Sequence, residues 1–440
     1  MKTNAKRLLM SLGLGVCCIT AGQVMAQQQD SVSMNLDKVL EVALSDNPDI
    51  QVANRTIEIK KYAKKETITG LFPTVSASLS GTRGVIIPEI SFAPGMTVKM
   101  GKEWTYNWQG AAVLPIIAPQ LWESLKISQA SVELAVEQAR SSKVSTLASV
   151  KKAFYQLLMA RDSYDVLNAS YQLADENLTL ARNMYNNGLQ AEYDTLTAYS
   201  TKVALEPTLL QMKNTLKVAE MQLKVLMGVD VNEPIRFEGH LKDYEEKLFA
   251  DLMILKNDND LDNNSSLIQI DLQKKQLVLS EKLNKLGYIP TVALQFTVGN
   301  SFMMGDYMTT GSLTLALSWT IFDGGSKYMK TKQNKLNIEN LEQQREYVKH
   351  QLELAINSSL VSIETAAEQT VSNKTSIYAS ERAYEISAKR YEVGSGTQLE
   401  VNASANSLQN ARLQYVQSIY DFVSAQATLE ETLGKVVTDK

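Results

Sequence analysis

Thr74-Val75-Ser76-Ala77-Ser78-Leu79-Ser80-Gly81-Thr82 alternates without a break. The hydroxyl residues take one side, and Val75, Ala77, Leu79 and Gly81 take the other. A period of two is the signature of a β-strand with one apolar and one polar face. Three more segments share it. From 104, the face of Trp104, Tyr106, Trp108, Ala112 and Leu114 opposes Thr105, Asn107 and Gln109. From 291, Val292, Leu294, Phe296 and Val298 oppose Thr291, Ala293, Gln295 and Thr297. From 312, Leu313, Leu315, Leu317, Trp319 and Ile321 oppose Ser312, Thr314, Ala316, Ser318 and Thr320. The strands are placed at about 74–85, 104–116, 291–299 and 311–322.

A half-buried strand in a water-soluble sheet is the plainer source of alternation. Two details favour a membrane barrel instead. Each segment has about the ten residues that a tilted strand needs to cross a bilayer. Trp104, Tyr106 and Trp108 share the apolar face near a strand end, as an interfacial aromatic girdle does, and Trp319 is the matching candidate on the last strand. The polar faces are small and uncharged, which suits a wet lumen. Four strands leave two open edges, which lipid does not tolerate. The smallest spanning barrels have about eight strands. Chains must therefore pool strands; two chains give eight and three give twelve, and the pattern does not choose between them.

Working outward, Pro73 and Pro290 mark the strand entries. Pro115, Pro119 and Asp323-Gly324-Gly325 mark the exits. The connections at about 84–103 and 299–311 form the outer tips. Helical segments precede the strands at Leu36–Gly70 and Ser265–Leu286. Beyond the strands, Leu121–Asn187 and Ser326–Glu392 run without proline or glycine. Val144, Leu147, Val150, Phe154 and Leu157 recur there at spacings of three and four, the stripe of a packed helix. At 1.5 Å per residue such a helix reaches roughly 100 Å, too long for a globular core. Pro207 lies inside the next helical stretch and is expected to kink it; Leu413 stands at the matching place in the second half.

The chain repeats itself. Met184-Tyr185-Asn186-Asn187-Gly188 corresponds to Arg390-Tyr391-Glu392-Val393-Gly394, and each glycine is followed six residues later by an acid, Asp194 or Glu400. Leu226-Met227-Gly228 matches Thr432-Leu433-Gly434 at the same offset of 206. The organisation is a first repeat over 27–228, an equatorial insert over 229–263 and a second repeat over 264–440.

Residues 1–26 read as an export signal. Lys2, Lys6 and Arg7 precede the apolar run Leu8–Ala21, and Val24-Met25-Ala26 ends it. The run is too short to span a bilayer. Cys17 and Cys18 both lie inside it, so the mature chain has no disulfide or thiol chemistry. Lipidation of either cysteine is a minor alternative: Val16 stands where a small residue is wanted, and a cysteine precedes Cys18. Lys and Arg total 44 against 48 Asp and Glu, an acidic balance that gives no footprint for nucleic acid.

Enzyme chemistry finds no support. The two histidines, His240 and His350, have no ligand spacing, and no cofactor motif occurs. Asp258-Asn259-Asp260-Leu261-Asp262 looks like the start of a calcium loop. It carries Asn263 at the sixth position and Gln269 at the twelfth, where Gly and Glu are required.

The doubled tip pattern, a tyrosine three before a glycine and an acid six after it, resembles the TolC-type outer-membrane efflux family. Ile321-Phe322-Asp323-Gly324-Gly325 is also similar to that family, whereas Ile116-Ile117-Ala118-Pro119-Gln120 departs from it. The resemblance spans essentially the whole mature chain. It implies a mainly α fold with a membrane β-barrel: duplicated long-helix hairpins form a periplasmic α-barrel, and four strands per chain build a 12-stranded barrel in a homotrimer. It further implies an exit duct in the Gram-negative outer membrane without catalytic, cofactor or metal sites. Its expected partners are a periplasmic adaptor, an inner-membrane pump of RND or ABC type and outer-membrane lipid. Asp194 and Glu400 become candidates for an acidic gate, although helix capping explains them equally; Ala403, where the family often has a second acid, implies a thinner ring. Tyr185, Asn187, Gly188 and Leu189, with Tyr391, Val393, Gly394 and Ser395, become candidates for the tip that meets the adaptor. A type I protein-secretion outlet of the same fold and a soluble coiled-coil adaptor are the rival readings.

Overall fold

The computed structural model describes residues 32–93, 95–99, 101–245, 261, 263–303 and 306–434. The export signal, both cysteines and most of the calcium-like loop lie outside the described residues.

The first half begins with β1 (Val32–Met34), α1 (Leu36–Asp46) and α2 (Pro48–Thr69). The single segment expected at 36–70 is thus two helices. Pro48 disfavours the helical region for the residue before it, and Asn47 is extended. Its Oδ1 accepts from the Asp49 and Ile50 amides, so the break is also a cap. Next come β2 (Thr74–Arg83), β3 (Glu89–Ala93), β4 (Met96–Lys99) and β5 (Trp104–Ile117). The outer connection at 84–103 therefore carries a short antiparallel hairpin of its own. The helices α3 (Pro119–Asn186) and α4 (Glu192–Met227) complete the half.

Among the described residues, the insert contributes β6 (Ile235–Phe237) and one 3-10 turn at Leu241–Tyr244. The second half has α5 (Ser265–Leu286), β7 (Thr291–Met303), β8 (Asp306–Ser318), α6 (Ser326–Glu392) and α7 (Gln398–Leu433). Pro207 does not end α4, which is one helix through it. The ring lies on an exposed face, where the unpaired carbonyl one turn back can meet water.

The main sheet has the order β2–β5–β7–β8, antiparallel throughout. Its register sets apolar against apolar across neighbours: Leu79 faces Trp108, Leu294 faces Leu315 and Phe296 faces Leu313. No residue of β2 or β8 is covered, and neither strand has a second neighbour among the described residues. The sheet is open in one chain.

The second hairpin differs from its sequence reading. Pairing continues through Asn300–Thr309, Ser301–Met308 and Phe302–Tyr307, so the strands reach farther out than the apolar alternation. At the other end β8 stops at Ser318, and Trp319 leaves the ladder to donate from Nε1 to the Tyr288 carbonyl at 3.0 Å. Gly299 closes the β5–β7 pairing. A Cβ there would lie 2.6 Å from the Trp108 carbonyl oxygen, which only glycine avoids. Past it the side chain of Asn300 takes over, accepting from the Trp108 amide at 2.6 Å and donating to the Tyr106 carbonyl.

The core lies at the middle of the long helices. Leu147, Val150, Phe154 and Leu158 of α3 pack with Leu40 of α1, Leu223 of α4, Ile363 of α6 and Phe422 of α7. Lys151 and Glu430, both nearly covered, pair at 2.8 Å across α3 and α7. The insert wraps this waist. β1 pairs with β6 in parallel, and Arg161 Nη2 donates to the Phe237 carbonyl at 2.8 Å.

Candidate functional site

The helix-hairpin tips and the rims of the open sheet carry the side chains of interest.

The tips share one backbone geometry. α3 ends at Asn187 and α6 ends at Val393, and each is followed by a glycine of positive φ, 72° at Gly188 and 74° at Gly394. The next amide bonds back five residues, Leu189 to Met184 and Ser395 to Arg390. Such a turn needs the left-handed region, which glycine enters without strain. Asn187, Gly188 and Leu189, like Val393, Gly394 and Ser395, are exposed.

The side chains break the symmetry. Thr397 caps α7, with its Oγ1 accepting from the Glu400 amide at 3.3 Å and the Glu400 carboxylate accepting from the Thr397 amide. The Arg390 guanidinium also lies 3.6 Å from Glu400. Glu400 is thus a capping residue with a cationic neighbour. α4 begins after Ala191, which has no side chain to cap with, and Asp194 is half-buried.

The two tyrosines diverge too. Tyr185 is exposed, whereas Tyr391 is 1% exposed and packs against Leu178, Ala181, Ala198 and Val401 between the hairpins. Its Oη has no hydrogen-bond partner among the described residues. Burial first, and then the Asp194 charge, push the Tyr391 phenol up to about 12. Tyr384 donates to Asn177 at 3.2 Å, tying α6 to α3 one step higher.

At the outer rim, Trp104, Tyr106 and Trp108 all stand exposed on one face of β5. The rings of Trp104 and Tyr106 stack at 6.4 Å between centroids. At the helical rim, Trp319 is accompanied by residues that were not singled out from the sequence. Phe72, Trp122, Tyr288, Phe322 and Tyr328 are all exposed, Phe322 at 85%. Phe72, Trp122, Tyr288 and Phe322 lie within five residues of a strand end, which is the signal the sequence offers, and Tyr328 stands in the first turn of α6.

One group could resemble a metal site among the described residues: Asp162, Asp165 and His240. Both Asp162 oxygens are already engaged, one with His240 Nδ1 at 2.6 Å and the other accepting from the Leu241 amide at 2.8 Å. The arrangement pins the insert to α3.

Residues 39–229 and 263–435 match the family model described as outer membrane efflux protein. The chain belongs to the outer membrane efflux protein family. The two matched segments coincide with the two helix–strand–helix halves and leave out the insert. Relatives include the probable efflux pump outer membrane protein TtgC of Pseudomonas putida, 21% identical over 91% of this chain and 82% of that one. The outer membrane protein TolC of Escherichia coli is 22% identical over 71% of this chain and 66% of its own length. The solved structure of the CmeC outer membrane channel of Campylobacter jejuni superposes with a TM-score of 0.74 at 16% identity, over 91% of this chain and 85% of that one. The fold is therefore that of the outer-membrane channels, and the protein is an outer-membrane protein of the efflux family with a transport role.

Proposed function

We propose that the protein is the exit duct of a tripartite efflux system, a homotrimer that conducts substrates passively from an inner-membrane pump and a periplasmic adaptor to the exterior. The observation that carries this reading is the open sheet. β2 and β8 each present a bare, uncovered edge, while the strands between them carry apolar side chains on the outer face. Lipid does not accept free backbone edges, so β8 of one chain pairs with β2 of the next. Three chains give twelve strands, within the range of known barrels.

The helices ask for the same partners. Tyr193, Leu196, Tyr199, Val203, Leu210 and Val218 form an exposed apolar stripe along α4, at helical spacing and with no covering element among the described residues. A neighbouring subunit supplies that cover. At the far end, Leu189 and Val393 stand exposed on the tip turns, the natural docking points for an adaptor. Asp194 and Glu400 then form the acidic constriction just inside.

Native mass spectrometry of the detergent-extracted outer-membrane fraction tests the assembly. A detergent-dependent species of three mature chains supports the duct. A soluble monomer or dimer overturns it.

A further inference from the structure

The charge of this chain is distributed unevenly. The windows 60–70, 119–130, 276–287 and 323–336 contain eleven lysines and four acids, whereas the full chain is net acidic. These windows are the last turns of α2 and α5 and the first turns of α3 and α6, the four helix ends that join the main sheet. At 1.5 Å per residue they all lie within roughly 18 Å of the strands. Three of the lysines are paired: Lys61 with Glu58, Lys126 with Glu123 and Lys285 with Glu281. The other eight, four of them Lys327, Lys330, Lys332 and Lys335 at the start of α6, have no carboxylate partner among the described residues.

The sheet itself is almost free of charge. β5 and β7 contain no charged residue, β2 has only Arg83 and β8 has only Asp306, and both of those stand at the outer ends. Between the neutral band and the lysines run Phe72, Trp122, Tyr288, Trp319 and Phe322, all exposed, and Tyr328 stands among the lysines of α6 itself. Lys327 lies over the Tyr288 ring at 4.8 Å, and Lys332 lies over Tyr328 at 5.8 Å. Neutral strands, then aromatics, then lysines is the order of hydrocarbon, interface and head group along a membrane normal. Lysine stems can lie along the apolar rim while the ammonium reaches the head-group layer.

We propose that this lysine collar binds the anionic phospholipid head groups of the leaflet on the helical side of the membrane, holding the duct at a fixed depth. The proposal rests on the barrel reading above. The occupant follows from charge complementarity and from continuity with the lipid-facing strands; a soluble acidic protein would not require the aromatic belt between lysines and sheet. Each basic residue near an anionic leaflet changes binding by about five-fold, from about 1 kcal/mol. The effect fades within a Debye length of about 8 Å at physiological salt.

The test uses the full mature protein in mild detergent, exposed to phosphatidylglycerol or phosphatidylcholine and read by native mass spectrometry. Wild type should retain phosphatidylglycerol at least ten-fold over phosphatidylcholine, and the preference should collapse at high salt. The variant Lys282→Gln/Lys330→Gln/Lys332→Gln/Lys335→Gln should keep its oligomeric state and bring the two lipids within about two-fold. If that variant fails to assemble, the salt titration of wild type decides alone. Equal retention of both lipids by wild type overturns the collar. An unchanged preference in an assembled variant overturns it too, and leaves the lysines to a soluble acidic partner. A wild-type protein that needs no detergent would instead remove the barrel reading beneath it.

Discussion

Asn47 and Asn264 perform the same task 217 residues apart. Each caps the helix that follows it, and each donates from Nδ2 at 2.6 Å to a carbonyl near the end of a distant helix, Leu226 or Thr432. Those two carbonyls are 206 residues apart, so the halves are not in constant register. The first half contains eleven more residues between its clamp and its closing helix, taken up chiefly in the connection that folds β3 and β4. The two halves agree where helices lock together and differ in the connections between their strands.

Each clamp joins the entry helix of a half to its exit helix, so its loss should be felt globally. Asn47→Ala or Asn264→Ala removes a cap and strands a carbonyl, which costs about 1–3 kcal/mol. The neighbouring glycines should separate more sharply. Gly228→Ala brings a Cβ within 2.4 Å of the Asp46 carbonyl oxygen, whereas at Gly434 the nearest atom is 3.6 Å away. Both glycines have positive φ. Thermal melting in detergent should therefore show Gly228→Ala as much the worse of the pair, and equal melting temperatures would contradict the close approach.

Tyr391 sets an alkaline limit on the tips. Its folded pKa is raised, so the stability it contributes is complete below the ordinary tyrosine range near 10 and is lost as pH rises through about 12. Fluorescence-detected unfolding from pH 9 to 12 should show the tips loosening in that window. Tyr391→Phe removes the titrating group along with a hydroxyl that has no hydrogen-bond partner among the described residues. It should reduce the alkaline loss, the remainder coming from Tyr384 and Tyr415, whose phenols burial also raises, while leaving neutral stability unchanged or slightly higher, by up to about 1 kcal/mol. A variant that retains the alkaline transition undiminished would place its cause outside Tyr391.

The buried pair Lys151–Glu430 crosses from α3 to α7 at the waist. Breaking one side leaves the other charge buried, so Lys151→Met should cost about 3–5 kcal/mol. The double change Lys151→Met/Glu430→Met should restore most of that loss, because two apolar side chains need no partner. Chemical denaturation of the three variants checks the sign. A double variant as weak as the single one would show that Glu430 does more than pair with Lys151.

Much of this architecture was legible in the residues. Strict alternation in Thr74–Thr82 located a strand because a period of two survives only where one face differs from the other. The tip glycines were legible because a left-handed turn narrows the choice of residue. The extension of β7 and β8 to Met303 and Asp306 was not, since past Gly299 the ladder is held by backbone pairing and by Asn300 rather than by alternating polarity. Nor was the inequality of Tyr185 and Tyr391: identical local motifs acquire different burial from the long-range packing of α3 against α6 and α7. Apart from Trp319, the lower aromatic belt was not legible, for a related reason. Its members come from four separate chain segments that only the fold brings to one level.

The two acids of the tips should not contribute equally to selectivity. Glu400 is tied into the α7 cap and has Arg390 at 3.6 Å, which offsets part of its field. Asp194 belongs to no capping box, as Ala191 at the start of α4 has no side chain to pair with it, and it stands only as an acid in the first turn. If the tips line the constriction, carboxylates there favour cations, as charged rings do in other pores. Asp194→Ala should then lower the cation preference measured in planar bilayers more than Glu400→Ala does. Glu400→Ala should in addition lower stability by about 1 kcal/mol through the lost capping box. Changing both should bring selectivity close to neutral. Reversal potentials indistinguishable from wild type in the double variant would mean that the constriction lies elsewhere along the helices, and that both acids serve only the fold.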